Sequence, residues 1–260
     1  MSIQRKTDKY RLIEKRGEGI GENYKPWLKV HEFGTRSRSH RMIGWKHKRI
    51  FQLMSDLELY FFLLLQWNEN ILEIREQYPL LPLEQTLLIS EEIQVVHPPK
   101  TQRIKTVMTT DFLVAERKNN EICKLAIAIK TDSELSNLRT VDKLRIEKEY
   151  WDIKGIPWAI VTDKNIDKVK AINIYSIYND YFWGEESGYT ENEIKRFIFS
   201  YKTLLVKNEY DFLRASKKFE DINGWINGEG IRFFKYLLAI KEIKTNMNVK
   251  FDFRNMKVWI

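Results

Sequence analysis

One cysteine in 260 residues, Cys123, excludes an internal disulfide and any zinc site built on thiolates. No apolar run approaches the roughly 18–20 residues of a membrane span. The longest, Leu57–Gln66, is broken by Glu58. The opening stretch MSIQRKTDKY has no signal-peptide core. Proline is scarce and confined, all six lying at or before Pro157. Three glycines alternate in RGEGIGENYKPW, Arg16–Trp27, yet no Gly-Lys-Ser/Thr follows, which excludes a P-loop. No strand precedes them at the spacing of a dinucleotide fingerprint. These absences leave the expectation of a soluble cytoplasmic protein without a membrane role.

Charge is plentiful and uneven. The chain is 43% hydrophobic and 31% charged, with a net charge of +8. Residues 1–50 carry 14 Lys/Arg against 5 Asp/Glu, so the rest is close to neutral. A basic surface of this size favours a polyanion. A solvated face that only aids solubility is the other reading. Within this segment lie TRSRSHR (Thr35–Arg41) and WKHKR (Trp45–Arg49). Arg36, Arg38, His40, Arg41, Lys46, Lys48 and Arg49 are the candidate phosphate contacts, with Trp45 available for stacking. His31, His40 and His47 lack metal-ligand spacing.

Periodicity outlines the elements. A short helix is expected over Arg5–Lys15, followed by a flexible loop through Trp27. Ser55 with Glu58 three residues on is a capping-box pattern opening a helix to Trp67. Ile71–Glu76 reads as a strand and residues 83–105 as irregular. Val107–Ala115 and Leu125–Lys130 alternate as half-buried strands around the turn Glu116–Glu121, which contains Asn119-Asn120. A long charged helix over Ser133–Lys154 stops at Gly155, and Pro157–Thr162 reads as a buried strand. The class is α/β with a mixed sheet over residues 1–165. Residues 166–260 read as four helices and a terminal hairpin, a winged-helix-like module.

Asp111 and Lys130 fall on neighbouring strands, which suggests metal-dependent phosphodiester hydrolysis. Mg²⁺ takes a few carboxylates plus waters, and a nearby lysine can orient a water or offset phosphate charge. The available set is Glu58, Asp111 and Lys130, with the Ile129 carbonyl as a further ligand. Each has a plainer reading: Glu58 as a helix cap, Asp111 as a solvated strand acid, Lys130 as a solvated strand lysine.

Several stretches together resemble the TnsA family, the endonuclease subunits of heteromeric transposases. They are GEGIGENYKPWLKV (Gly17–Val30), RSHRMIG (Arg38–Gly44), LMSDLELYFFLLLQW (Leu53–Trp67), ILEIREQYPLLP (Ile71–Pro82), VMTTDFLV (Val107–Val114), AIAIK (Ala126–Lys130) and GIPWAIVTDK (Gly155–Lys164). The resemblance implies a restriction-endonuclease-like N-terminal domain and a winged-helix-like C-terminal, partner-binding domain. It implies Mg²⁺-dependent cleavage, with Mn²⁺ as a substitute, at the 5′ ends of a transposon in a bacterial, nucleoid-associated setting. The implied partners are double-stranded DNA at transposon ends, the DDE transposase TnsB and the AAA+ regulator TnsC. The family's glutamate falls on Glu58, its aspartate on Asp111 and its lysine on Lys130. Its intervening glutamine or acid falls on Ala128, whose methyl group cannot hold a metal or a water. A weakened nuclease, a non-cleaving adaptor and a stand-alone restriction-type nuclease are the readings this leaves.

Overall fold

Asn119 and Asn120 both adopt left-handed φ, 50° and 65°, as a two-residue type I′ hairpin turn requires. They join the two longest strands of the sheet. The computed structural model describes residues 8–32, 38–98 and 106–260. It divides into two units, Met1–Ile166 and Asp167–Ile260.

Among the described residues the first unit opens with α1 (Asp8–Ile13), which ends before the expected Lys15; residues 5–7 of the expected helix lie outside the described residues. The glycine-rich stretch that follows is packed rather than free. A Cβ on Gly17 would sit 2.3 Å from Pro79 Cγ, and one on Gly19 2.2 Å from the Asn23 carbonyl oxygen; both glycines have positive φ. Tyr24 and Trp27 are buried there, and Arg16 forms a buried pair with Glu32. A hairpin absent from the sequence reading follows, β1 (His40–Ile43) with β2 (Ile50–Leu53). Helix α2 (Asp56–Trp67) has Ser55 as its N-cap, accepting the Glu58 N–H. Strand β3 runs Ile71–Pro79. Helix α3 (Leu83–Glu92) occupies part of the segment expected to be irregular. Pro82 stands just before α3, and Thr86, Ile89 and Ser90 bury one face.

Strands β4 (Thr109–Lys118) and β5 (Glu121–Lys130) form the hairpin. The expected long helix divides at Asn137. A 3₁₀ turn covers Asp132–Ser136, and α4 runs Leu138–Ile153 with the Asn137 side chain capping two of its N–H groups. Strand β6 (Trp158–Thr162) is half-buried rather than buried. The sheet order is β3-β4-β5-β6, antiparallel except for the parallel β5–β6 pair. Phe112 on β4 meets Phe61 of α2. Its neighbour Leu113 packs with Ile89, Ile146, Tyr150 and Trp151 of α3 and α4. Successive strand residues face opposite ways, so the sheet is covered by α2 on one side and by α3 and α4 on the other.

In the second unit α5 (Lys168–Ile177), α6 (Trp183–Glu186), α7 (Glu191–Lys207), α8 (Phe212–Asn223) and α9 (Glu229–Ala239) surround an aromatic core that includes Trp183, Phe219 and Phe233. The terminal hairpin shrinks to two residues per strand, β7 (Lys244–Thr245) and β8 (Val258–Trp259). Asn173 secures the loop between them, donating to the Met247 and Val249 carbonyls and accepting the Phe251 N–H. No helix among the described residues is long and apolar enough to cross a membrane.

Candidate active site

The centre lies where the sheet opens around Asp111. On β3, the pairs Glu76–Phe112 and Tyr78–Thr110 bracket Gln77 and Asp111. Gln77 takes a left-handed φ of 50°, which turns its backbone out of the ladder. On the other side the β4–β5 ladder runs only as far as Phe112–Ile127. Strand β5 continues on β6 through Ala128–Ile160, Ile129–Val161 and Lys130–Thr162. The Asp111 side chain fills the opening, its Oδ2 accepting the Ile129 N–H at 2.6 Å.

Lys130 Nζ donates to the same Oδ2 at 3.1 Å and to the Ile129 carbonyl at 2.7 Å. Burial alone lowers a lysine pKa, but here the negative charges of Asp111, Glu147 and Glu58 win and raise it. Glu58 arrives from the first turn of α2. Its carboxyl accepts from Met54 N–H (2.8 Å), Ser55 Oγ (3.2 Å) and Gln77 Nε2 (3.1 Å). The cap and the site are therefore the same residue: Glu58 closes the N-terminus of α2 and faces Asp111. Burial, then the Asp111 charge, push its carboxyl up to about 8.

Glu147, from α4, escaped the sequence reading. Its Oε1 accepts from Thr110 Oγ1 at 2.8 Å and Trp158 Nε1 at 3.0 Å. Burial, with the Asp111 charge adding to it, pushes its carboxyl up to about 7. The signal was present: Glu147 lies on the stripe Leu144–Glu147–Trp151, where an apolar residue belongs. A cavity of about 440 Å³ opens beside it, lined by Lys130, Glu147, Lys143, Thr109, Thr140 and Arg11 among others. Gln77 gave no comparable signal, because its role depends on a backbone turn inside a strand.

Among the described residues no three His, Cys, Asp or Glu side chains are placed to hold a metal ion together. The oxygen atoms that could serve a cation here are those of the Asp111 and Glu58 carboxyl groups and the Ile129 carbonyl. Such oxygen donors suit Mg²⁺, which keeps several waters and needs only one or two carboxylates. Ala128 is 1% exposed and adds no polar side-chain atom to this set.

The candidate phosphate contacts differ in exposure and pairing. Arg36 lies outside the described residues. Arg38 and His40 both meet Asp56 at the start of α2. Arg41 is exposed on β1; Lys46 is half-buried and Lys48 exposed in the turn to β2. Arg49 departs from the expectation of a DNA contact. It is buried, with Nη1 and Nη2 at 2.8 and 2.6 Å from the two Glu76 oxygens and Nη2 also on the Ile74 carbonyl. A guanidinium committed this way cannot reach a phosphate. Trp45 is likewise buried, so it is no stacking platform. His47 is half-buried, and burial lowers its basicity.

Residues 68–163 match the family model for the TnsA-like endonuclease N terminal domain. That span holds Asp111, Ala128, Lys130 and Glu147, and Glu58 lies just before it. Over 169 residues the chain is 43% identical to the transposon Tn7 transposition protein TnsA of Escherichia coli, a match covering 65% of this chain. The same match spans 61% of the length of that relative. The matched span covers the strands and the helix that build this centre, so residues 68–163 are similar to the TnsA-like endonuclease N terminal domain.

Proposed function

We propose that this chain is the endonuclease subunit of a heteromeric transposase, cutting DNA at the 5′ ends of a transposon with Mg²⁺ or Mn²⁺. The observation that carries the reading is Asp111 in the opened ladder, with Lys130 and the Ile129 carbonyl against it and Glu58 facing it. The similarity to a transposition protein supplies the context.

Glu58, Asp111 and the Ile129 carbonyl would hold the divalent cation, which when bound acidifies water and offsets charge on the phosphate. Asp111 also fixes the Ile129 carbonyl indirectly, since its carboxylate anchors the N–H of the same residue. Lys130 bridges Asp111 and that carbonyl, placing an ammonium where phosphate charge builds during in-line attack. Gln77 and the Ser55–Met54 cap hold the Glu58 carboxyl in one orientation. The products would be a 5′-phosphate and a 3′-hydroxyl.

In this reading the first unit has a restriction-endonuclease-like fold and the second is a winged-helix-like, partner-binding module. TnsB would supply end recognition and cut the other strand, and the AAA+ regulator TnsC would be the second partner. Ala128 favours a second reading, a non-cleaving adaptor, because it leaves the centre one polar group short. A labelled transposon-end duplex, with Mg²⁺ or Mn²⁺ and with or without the transposase, separates these readings. Transposase-dependent nicking at the 5′ end is the expected result. Sequence-specific cutting without the transposase would indicate a stand-alone nuclease. Bound but uncut DNA, even with Ala128→Gln, would indicate the adaptor.

A further inference from the structure

Asp56 opens α2 two residues before Glu58. Its Oδ1 lies 2.7 Å from His40 Nε2, and its Oδ2 accepts Nε and Nη2 of Arg38 at 3.2 and 2.8 Å. An acid in the first turn of a helix is already favoured by the helix dipole. This one also gathers two side chains from the segment leading into and forming β1. The Arg38 side chain remains 80% exposed. Its fork places two donors on Asp56, and a guanidinium has five.

We propose that Arg38 and His40, braced by Asp56, grip one backbone phosphate of the DNA, and that Asp56 is the positioning residue that fixes this contact relative to Glu58. The proposal rests on the nuclease reading above and names how its substrate is registered. An exposed arginine gives up rotamer freedom when it closes on a phosphate. Pairing with Asp56 removes most of that freedom beforehand. The brace also subtracts a positive charge from a DNA-binding surface. Simple electrostatics and positioning therefore predict opposite effects of removing the carboxylate. Asp56 and Glu58 share one helical turn, so a phosphate held by the brace is held at a fixed offset from the metal-binding acid.

The test is fluorescence anisotropy of a labelled random-sequence duplex with the full chain, in EDTA so that nothing is cut, over a range of KCl. Asp56→Asn should weaken binding by about 3–10-fold and lower the slope of log K against log[salt] by about one. Arg38→Gln should do the same, and the double variant should bind no worse than Arg38→Gln alone. Arg38→Lys, which keeps the charge but loses the fork, should also weaken binding; this exposed position carries no risk to folding. Unchanged or tighter binding by Asp56→Asn, additive losses in the double variant, or full binding by Arg38→Lys would each overturn the brace. Absence of any duplex binding by the wild-type chain at low salt would instead overturn the DNA reading beneath it.

Discussion

Glu58 caps α2 and, in the proposed nuclease, would also hold the metal. Its pattern with Ser55 was legible because capping is a short-range rule. Its approach to Asp111 was not, because that depends on how α2 packs on the sheet. Glu147 was overlooked although it interrupts the apolar stripe of its helix; what the stripe could not show is that this face packs beside Asp111. It also makes a clear prediction. Its carboxyl titrates near 7 in the folded chain against an ordinary value of 4.5. The folded state therefore holds more protons than the unfolded state between these values, and stability falls as pH rises through that window. The loss attributable to Glu147 is on the order of 3 kcal/mol. Urea unfolding at pH 4.5–7.5 without metal should flatten in Glu147→Gln, which can still accept from Thr110 and Trp158. Glu58 leaves a residual slope in the same direction, and an undiminished slope in the variant would refute the assignment. Ala128 supplies the second prediction at this scale. Ala128→Gln places an amide beside Asp111 and should raise the Mg²⁺-dependent cutting rate, read as initial rates on one end duplex. Equal rates would remove Ala128 from the account of activity.

Among the elements, the central hairpin was the most readable, since alternation gave both strands and Asn119-Asn120 gave the turn. Both asparagines sit at left-handed φ, so Asn120→Val should cost about 1–2 kcal/mol in denaturant unfolding, whereas Asn120→Gly should be neutral or slightly stabilising. The β1–β2 hairpin was unreadable. WKHKR looks like a polyanion-binding run until Arg49 is seen turned inward onto Glu76 and Trp45 buried against Trp67. A buried ion pair leaves no trace in a charge count. Arg49→Ala should leave Glu76 buried without its partner and cost about 3–5 kcal/mol. An Arg49→Ala chain as stable as wild type would mean that the pair is not buried in solution. Helix α3 was missed because prolines flank it closely and its apolar stripe is short.

At the scale of the whole molecule, the drop in proline after Pro157 anticipated the change from sheet to helix, and the two units part at Ile166–Asp167. The small size of the β7–β8 pair was not anticipated, since alternation in the last residues overstated the strand content. Lys164 is exposed in the turn just after β6, so limited trypsin digestion should cut there early and leave fragments that keep helical circular dichroism. A digest that destroys both units together would argue against their independence. We propose above that Asp111, Glu58, Lys130 and the Ile129 carbonyl form one metal-dependent nuclease centre, and divalent-dependent cleavage of a transposon-end duplex, with the transposase present, by the wild-type chain and by Asp111→Asn tests this most directly. The expected result is 5′-end cutting that requires Mg²⁺ or Mn²⁺ and falls at least ~100-fold in the variant, the scale of losing a group that stabilises the transition state. Cutting that persists in Asp111→Asn, or that needs no divalent cation, would contradict it.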